Sequence, residues 1–238
     1  MLQKSVVEEK TFSLMKSLMA EEVLSDFFLV GGTALALKLG HRKSIDIDLF
    51  TRSDIAVDEL QKYLTQKYGF KEEFREKNTL KGEIDGVKVD LIKYDYPFVN
   101  DLEKTSDGIR MASVEDVIAM KLSAITDSGT RVKDFADIAW LSTRYSLNQM
   151  LKFYQEKFKG ANALSVAKAL VYFNDIDFEN EPVELVGANF DWKKVNKRLL
   201  EMVQNPDKVF ADVPIEIKEN LINAKIRKPK RHDSGWSR

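Results

Sequence analysis

Apolar residues recur along the chain with two periods, one typical of α-helices and the other of β-strands. The helical period covers residues 5–25, 33–39, 57–68 and, apart from loops near 160 and 174–190, almost everything after 113. The strand period covers residues 27–31, 44–50 and much of 71–94. Asp85-Gly86 separates two alternating runs and predicts a two-residue hairpin turn. This order of elements predicts an α+β fold with a mixed sheet.

The pattern changes from mixed to helical near residue 110, which divides the chain. We predict an α/β domain over 1–110 that includes an N-terminal helix, a helical domain over 111–224, and a basic, disordered tail over 225–238. Five of the seven residues from Lys225 to Arg231 are basic. Such a tail either contacts phosphates or serves as a solubilising terminus.

The composition is that of an ordinary globular protein, with 44% hydrophobic and 32% charged residues among 238. The chain has no cysteine, which excludes disulfides and thiolate metal sites. Charges interrupt the N-terminal segment every few residues, so it is not a signal peptide. No apolar run approaches the roughly 18 residues that a membrane span needs. We therefore expect a cytoplasmic protein with no membrane partner.

Two aspartates lie within one of the alternating runs. Because alternate side chains of a strand share a face, Asp46 and Asp48 should point the same way, with Ile45, Ile47 and Leu49 in the core. Two like charges side by side are unfavourable unless a cation neutralises them. A divalent cation such as Mg²⁺ often binds one or two carboxylates together with substrate phosphates. The pair therefore predicts a metal site, and solvated acids on an edge strand are the alternative.

Two further features strengthen the prediction of a metal–nucleotide site. Asp90 interrupts an apolar row in the second strand of the predicted hairpin, so it could join the pair if the strands are neighbours. Gly31-Gly32 follows a strand and opens a helix, where backbone amides can hold a phosphate. A glycine pair alone could be a simple turn. A glycine pair, a helix and an Asp-x-Asp strand together are far more specific.

Two charged residues fall on apolar helix faces. Lys121 lies in the middle of a stripe that includes Ile118 and Ile125, so it needs an ionic partner or an anion such as a triphosphate. Asp134 also points inward and could pair with Lys121 or Arg131. Snorkelling of the lysine and a purely structural salt bridge are the alternatives.

The loop before the aspartate pair carries three candidate residues. Arg42 and Lys43 could contact phosphates, and solvated loop charges are the equal alternative. His41 follows Gly40, so a structural position at a helix end is favoured over catalysis.

The segment GGTALALKLGHRKSIDIDLF resembles the AbiEii/AbiGii toxins of type IV toxin–antitoxin and phage-defence systems, within the polymerase β-like nucleotidyltransferase superfamily. The segments KLSAITDSGTRVKDFADIAWL and ALVYFNDIDFENEP are also similar to that family. The resemblance covers roughly residues 28–200. It implies a polymerase β-like nucleotidyltransferase domain followed by a helical domain.

The resemblance also implies a reaction, the transfer of a nucleotide from an NTP to an acceptor such as the 3′ end of tRNA. Mg²⁺ or Mn²⁺ would be the cofactor, and a cognate antitoxin would be a partner. The implied roles fall into three groups. The metal ligands would be Asp46, Asp48 and Asp90. The phosphates would be bound by Gly31, Gly32, Thr33, Arg42 and Lys121. The catalytic residues would be the three metal ligands with Lys121 and Asp134.

Two other functions are compatible with the same residues. One is a nucleotidyltransferase that modifies a small molecule such as an antibiotic, which the mildly acidic body favours. The other is a non-catalytic NTP-binding module, against which the three intact carboxylates argue. The sequence does not specify which NTP is used, the antitoxin or the oligomeric state.

Overall fold

The structure is a computed structural model that describes residues 2–180 and 182–217. Its main sheet has seven strands in the order β3-β4-β5-β2-β1-β7-β6. These strands are β1 (Phe28–Leu29), β2 (Ile47–Thr51), β3 (Lys71–Glu76), β4 (Thr79–Ile84), β5 (Val87–Lys93), β6 (Glu103–Lys104) and β7 (Arg110–Met111). Strand β1 is antiparallel to β2 and parallel to β7, and β2 is parallel to β5. The sheet is therefore mixed, as predicted.

Eight α-helices accompany the sheet within the described residues. They are α1 (Glu9–Ala20), α2 (Gly31–Leu39), α3 (Val57–Tyr68), α4 (Val114–Asp127), α5 (Val132–Leu141), α6 (Leu147–Lys157), α7 (Ala163–Ala169) and α8 (Trp192–Gln204). A second, two-stranded sheet pairs β8 (Ala188–Asn189) with β9 (Glu216–Ile217). None of these helices combines the length and hydropathy of a membrane span.

The local signals in the sequence explain where several elements end. Gly40 and Gly69 have φ of 70° and 68° and close α2 and α3 in the left-handed conformation that glycine tolerates best. Asp85 and Gly86 also have positive φ and form the turn between β4 and β5. Ser113 caps α4 by accepting a hydrogen bond from the Asp116 amide at 2.9 Å.

Within residues 2–180 and 182–217, one apolar core runs through the sheet and the helices. Fully buried side chains come from both predicted halves, including Leu29, Leu49 and Leu91 in the sheet and Leu122 and Phe135 in the helices. The strands of the main sheet end at 111, and from α4 at 114 onward the described chain is mainly helical. The division into domains at 110 stays a prediction, and the tail predicted over 225–238 lies outside the described residues.

One detail of the predicted aspartate strand is wrong. Strand β2 begins at Ile47, so Asp46 lies in the loop that enters the strand. Ile45 is 57% exposed and does not enter the core, whereas Ile47 and Leu49 are fully buried. The alternation fails at Ile45 because that residue precedes the ladder of hydrogen bonds that imposes it.

Candidate active site

Two of the three predicted carboxylates lie side by side at the centre of the sheet. Strands β2 and β5 are parallel, and their register pairs Asp48 directly with Asp90. Both side chains line a cleft of about 500 Å³ between the sheet and helices α4 and α5. Lys121 and Asp134 line the same cleft from the helices. The fold therefore gathers residues that lie up to 86 positions apart in the sequence.

The third carboxylate, Asp46, lies at the edge of this cleft. It lines an adjoining pocket together with Asp48 and Gly32. The loop that carries it is held from behind, because the Thr33 hydroxyl bonds the Asp46 carbonyl and approaches the Ser44 hydroxyl at 2.8 Å. The Thr33 side chain is buried and supports the loop, so only its backbone amide remains for the predicted phosphate role.

The glycine pair allows two side chains to pack against the start of α2. A β-carbon at Gly31 would lie 2.3 Å from Oδ2 of Asp48, and one at Gly32 would lie 2.3 Å from a terminal nitrogen of Arg42. Gly31 also has a positive φ of 67°. Any larger residue would therefore displace the Asp48 carboxylate or the Arg42 guanidinium.

Helix α2 presents backbone amides to the cleft. Its first helical hydrogen bond runs from the Ala34 amide to the Val30 carbonyl at 3.3 Å. The preceding amides of Gly31, Gly32 and Thr33 are thus left to acceptors outside the helix. Together with the helix dipole, they form an anion-binding end next to Asp48.

The electrostatics of Asp48 suit a bound cation. Burial, and then the nearby charges of Asp90 and Asp46, raise the pKa of Asp48 to about 6. Among residues 2–180 and 182–217, no three His, Asp or Glu side chains are already arranged as a metal-binding group. Carboxylates that repel one another beside the amide end of a helix fit a metal that also takes substrate oxygens.

Lys81 supplies a positive charge that sequence reasoning missed. It lies opposite Asp90 in the antiparallel β4–β5 pair, and its ammonium is 2.9 Å from the Asp90 carboxylate. The side chains are 39% and 26% exposed, so the pair is accessible to solvent. Lys81 therefore competes with a metal ion for the Asp90 carboxylate.

Replacing Lys81 by methionine should strengthen metal binding to the nucleotide-free protein. An accessible ion pair contributes at most about 1 kcal/mol, and a cation beside a metal also repels it. We expect about three- to tenfold tighter Mn²⁺ binding by isothermal titration calorimetry. Lys62→Met, at an exposed position on α3, is the matched control. Unchanged or weaker Mn²⁺ binding by Lys81→Met would contradict this assignment.

A buried ionic cluster stands behind the cleft. The Lys121 ammonium lies 2.5 Å from Asp134 and 2.7 Å from Asp137, and all three side chains are almost fully buried. The predicted partnership of Lys121 and Asp134 is thus present. Asp137 was missed, although it lies one helical turn after Asp134 and its position on the inner face of α5 could have been derived.

Arg42 is buried within this cluster and is not exposed to solvent. Two of its guanidinium nitrogens donate to the two oxygens of Asp137, at 2.7 and 2.9 Å, and a third donates to the Lys43 carbonyl. Arg42 is 3% exposed, so the alternative of a solvated loop charge is wrong, and the contact with a phosphate stays a prediction. The geometry indicates a positioning residue that ties the loop before Asp46 to α5.

His41 completes the cluster as a neutral group. Its Nε2 lies 2.8 Å from Asp137, and burial is the main cause that lowers the pKa of the imidazole. Its Nδ1 has no hydrogen-bond partner among the described residues. This agrees with the expected structural position of His41.

Comparisons with known proteins agree with this geometry. A family model for the nucleotidyl transferase AbiEii toxin of type IV toxin–antitoxin systems matches residues 13–213. An uncharacterized protein of Aquifex aeolicus (strain VF5) is 33% identical over 158 residues, which are 64% of this chain and 76% of that protein.

Two solved structures share the fold. A proposed nucleotidyltransferase from H. pylori has a TM-score of 0.53 at 18% identity, and the match covers 83% of this chain and 94% of that one. The nucleotidyltransferase toxin MenT4 from Mycobacterium tuberculosis H37Rv has a TM-score of 0.51 at 12% identity, over 83% and 86% of the two chains. The predicted α+β, polymerase β-like nucleotidyltransferase fold is confirmed.

Proposed function

Because the chain belongs to the AbiEii family of nucleotidyltransferase toxins from type IV toxin–antitoxin systems, we propose that it adds nucleotides to the 3′ end of an RNA, namely tRNA. Family membership makes the protein an NTP-dependent nucleotidyltransferase with an antitoxin as its partner. The metal, the acceptor, the site residues, the cytoplasmic location and a role in phage defence belong to the proposal.

One observation carries the proposal: Asp48 and Asp90 are paired across β2 and β5, next to the free amides at the start of α2. With Asp46, they would hold Mg²⁺ or Mn²⁺, which when bound supplies charge neutralisation and Lewis acidity at the reacting phosphate. The amides of Gly31 and Gly32 would bind the triphosphate.

One of the same carboxylates, Asp90, would also act on the acceptor. Asp90 lies within the open cleft and could accept the proton of an acceptor hydroxyl as that oxygen attacks the α-phosphate and pyrophosphate leaves. Lys121 faces the cleft while bonded to Asp134 and Asp137, so it would place one positive charge near the triphosphate.

The proposal of an RNA acceptor rests on the resemblance and on charge. The segment from Lys225 to Arg231 is strongly basic and lies outside the described residues. Lysine and arginine clusters attract nucleic-acid phosphates and make binding weaken with salt. An RNA acceptor is therefore preferred over a small neutral or cationic antibiotic.

The test is nucleotide incorporation by the purified full chain. Labelled NTPs are supplied one at a time with Mg²⁺ and tRNA, and half of the tRNA carries a 3′-deoxy end that cannot accept a nucleotide. Label should enter only tRNA with an intact 3′ hydroxyl and only while the metal is present. Asp90→Asn should lose the activity, whereas Asp101→Asn, at an exposed position, should keep it.

Other outcomes would change the proposal in defined ways. Labelling of 3′-deoxy tRNA would place the acceptor elsewhere on the RNA. Labelling of an aminoglycoside and not of tRNA would establish the small-molecule alternative. Equal labelling by Asp90→Asn and the wild type would remove Asp90 from the site.

A further inference from the structure

A row of aromatic side chains forms one side of the candidate active site. We call this row the aromatic wall; it consists of Phe50, Tyr94, Tyr96, Phe158 and Tyr154, all of which line the cleft. Successive ring centroids along the row are 5.1, 4.8, 4.9 and 5.1 Å apart. The rings thus form one continuous surface and not isolated contacts.

The aromatic wall continues outward from the carboxylates. Phe50 lies two residues after Asp48 on β2, and Tyr94 lies four residues after Asp90, directly beyond β5. The Tyr94 amide donates to the Thr51 carbonyl at 2.7 Å, which extends the parallel pairing. At about 3.3 Å per residue, the two rings lie roughly 7 and 13 Å along the same face from the carboxylates.

Hydrogen bonds and an ion pair hold the segment that carries Tyr94 and Tyr96. The buried Lys157 ammonium donates to the Pro97 carbonyl at 3.0 Å and pairs with Asp116 at 2.7 Å. Asp116 also accepts from the Val99 amide at 3.0 Å. The same ammonium lies 5.6 Å from the centre of the Tyr94 ring. The wall is therefore preorganised, which lowers the entropy lost when a ligand binds.

The exposure of the rings changes along the wall. Tyr154, the last ring of the row, is 8% exposed and packs into the core, whereas Tyr96, the middle ring, is 44% exposed. Core packing explains a buried ring such as Tyr154 but not the exposed ring of Tyr96, which directly precedes the segment that Lys157 and Asp116 hold. An exposed ring in the same cleft as the amides of Gly31 and Gly32 suits a flat, uncharged aromatic group on a phosphate-bearing ligand.

We propose that the aromatic wall stacks a nucleobase, with Tyr96 as its most exposed ring; this inference rests on the proposed nucleotidyl transfer. A nucleobase can come from the NTP or from the terminal nucleotide of the acceptor RNA. Stacking requires only a π-face, so the wall tolerates different bases and contributes affinity more than base choice.

The experiment compares ligands with and without the base on the full chain, in Mg²⁺. One pair is an α,β-methylene NTP and inorganic triphosphate; the other is an RNA oligonucleotide and the same RNA with an abasic 3′ end. Tyr96→Ala should weaken one base-bearing ligand about five- to a hundredfold and leave its base-free partner unchanged. The ligand pair that responds identifies the source of the base.

Two further variants control for folding and for the hydroxyl group. Tyr96→Phe keeps the ring and should retain wild-type affinity. Tyr172→Ala removes a tyrosine that is 51% exposed outside the cleft and should change nothing. If Tyr96→Ala affects neither base-bearing ligand, or affects both members of a pair equally, stacking is disproved. Failure of the wild type to bind either triphosphate would instead overturn the proposed function, and with it this inference.

Discussion

Replacing Asp48 by asparagine is expected to abolish nucleotidyl transfer and to stabilise the metal-free protein at the same time. Transfer should fall about a thousandfold, because the lost carboxylate is one of the proposed metal ligands and this factor corresponds to about 4 kcal/mol of transition-state stabilisation. Opposite effects on activity and stability are typical of a functional residue whose charge the folded state disfavours. The double outcome is therefore a sharp test of the site.

The gain in stability follows from the pKa of Asp48. Burial and the neighbouring charges of Asp90 and Asp46 raise the pKa of Asp48 from 3.8 to about 6. A raised carboxyl pKa means that the folded protein binds the proton more tightly than the unfolded chain does. The penalty is absent below about pH 3.8, grows as the pH rises, and is complete above about pH 6.

The measurement is urea unfolding in EDTA at pH 8 and pH 4.5. Asp48→Asn should raise the free energy of unfolding by about 2 to 3 kcal/mol at pH 8, since each pKa unit is worth about 1.4 kcal/mol. At pH 4.5, where the folded-state carboxyl is already largely protonated, the gain should fall to about 1 kcal/mol. Asp101→Asn, at an exposed position, is the control at both pH values. Loss of stability at pH 8, or retained transfer, would contradict the assignment of Asp48.

The sheet half of the site could be predicted because its signals are local. Alternation and a short motif placed Asp48 and Asp90 on strands, and the structure pairs them. The Lys81 contact could also have been derived. A two-residue turn at Asp85-Gly86 fixes the hairpin register, and counting back from it pairs Lys81 with Asp90. The sequence therefore contains enough information to predict the pairing of Lys81 with Asp90.

The helical side of the site could be predicted only in part. Helical periodicity put Lys121 and Asp134 on inner faces, and the structure joins them. Arg42 and Asp137 are 95 positions apart, and their contact depends on how the loop before β2 packs on α5. The aromatic wall has the same origin, since Phe158 follows α6 and reaches Tyr96 only through tertiary packing.

Among the substitutions proposed here, removal of the Asp137 carboxylate should cause the largest loss in the free energy of unfolding. Asp137 is fully buried and contacts Arg42, Lys121 and His41 at 2.7 to 2.8 Å. Burial alone would raise the pKa of Asp137, but the charges of Arg42 and Lys121, with the hydrogen bonds from Arg42 and His41, hold it well below its usual range. Asp137→Ala would leave the Arg42 guanidinium buried without its bidentate partner. We expect a loss of about 3 to 5 kcal/mol in the free energy of unfolding.

A double-mutant cycle separates the missing charge from the missing packing. Arg42→Met removes the unpaired guanidinium, so Asp137→Leu combined with Arg42→Met should recover much of the stability that Asp137→Leu alone loses. Both double and single variants are measured by urea unfolding at pH 7. Additive losses would show that the two residues are not energetically coupled. Arg42 also ties the loop before Asp46 to α5. The double variant should therefore transfer nucleotides more slowly than the wild type even where its stability is recovered. That result would separate the positioning role of the cluster from its role in stability.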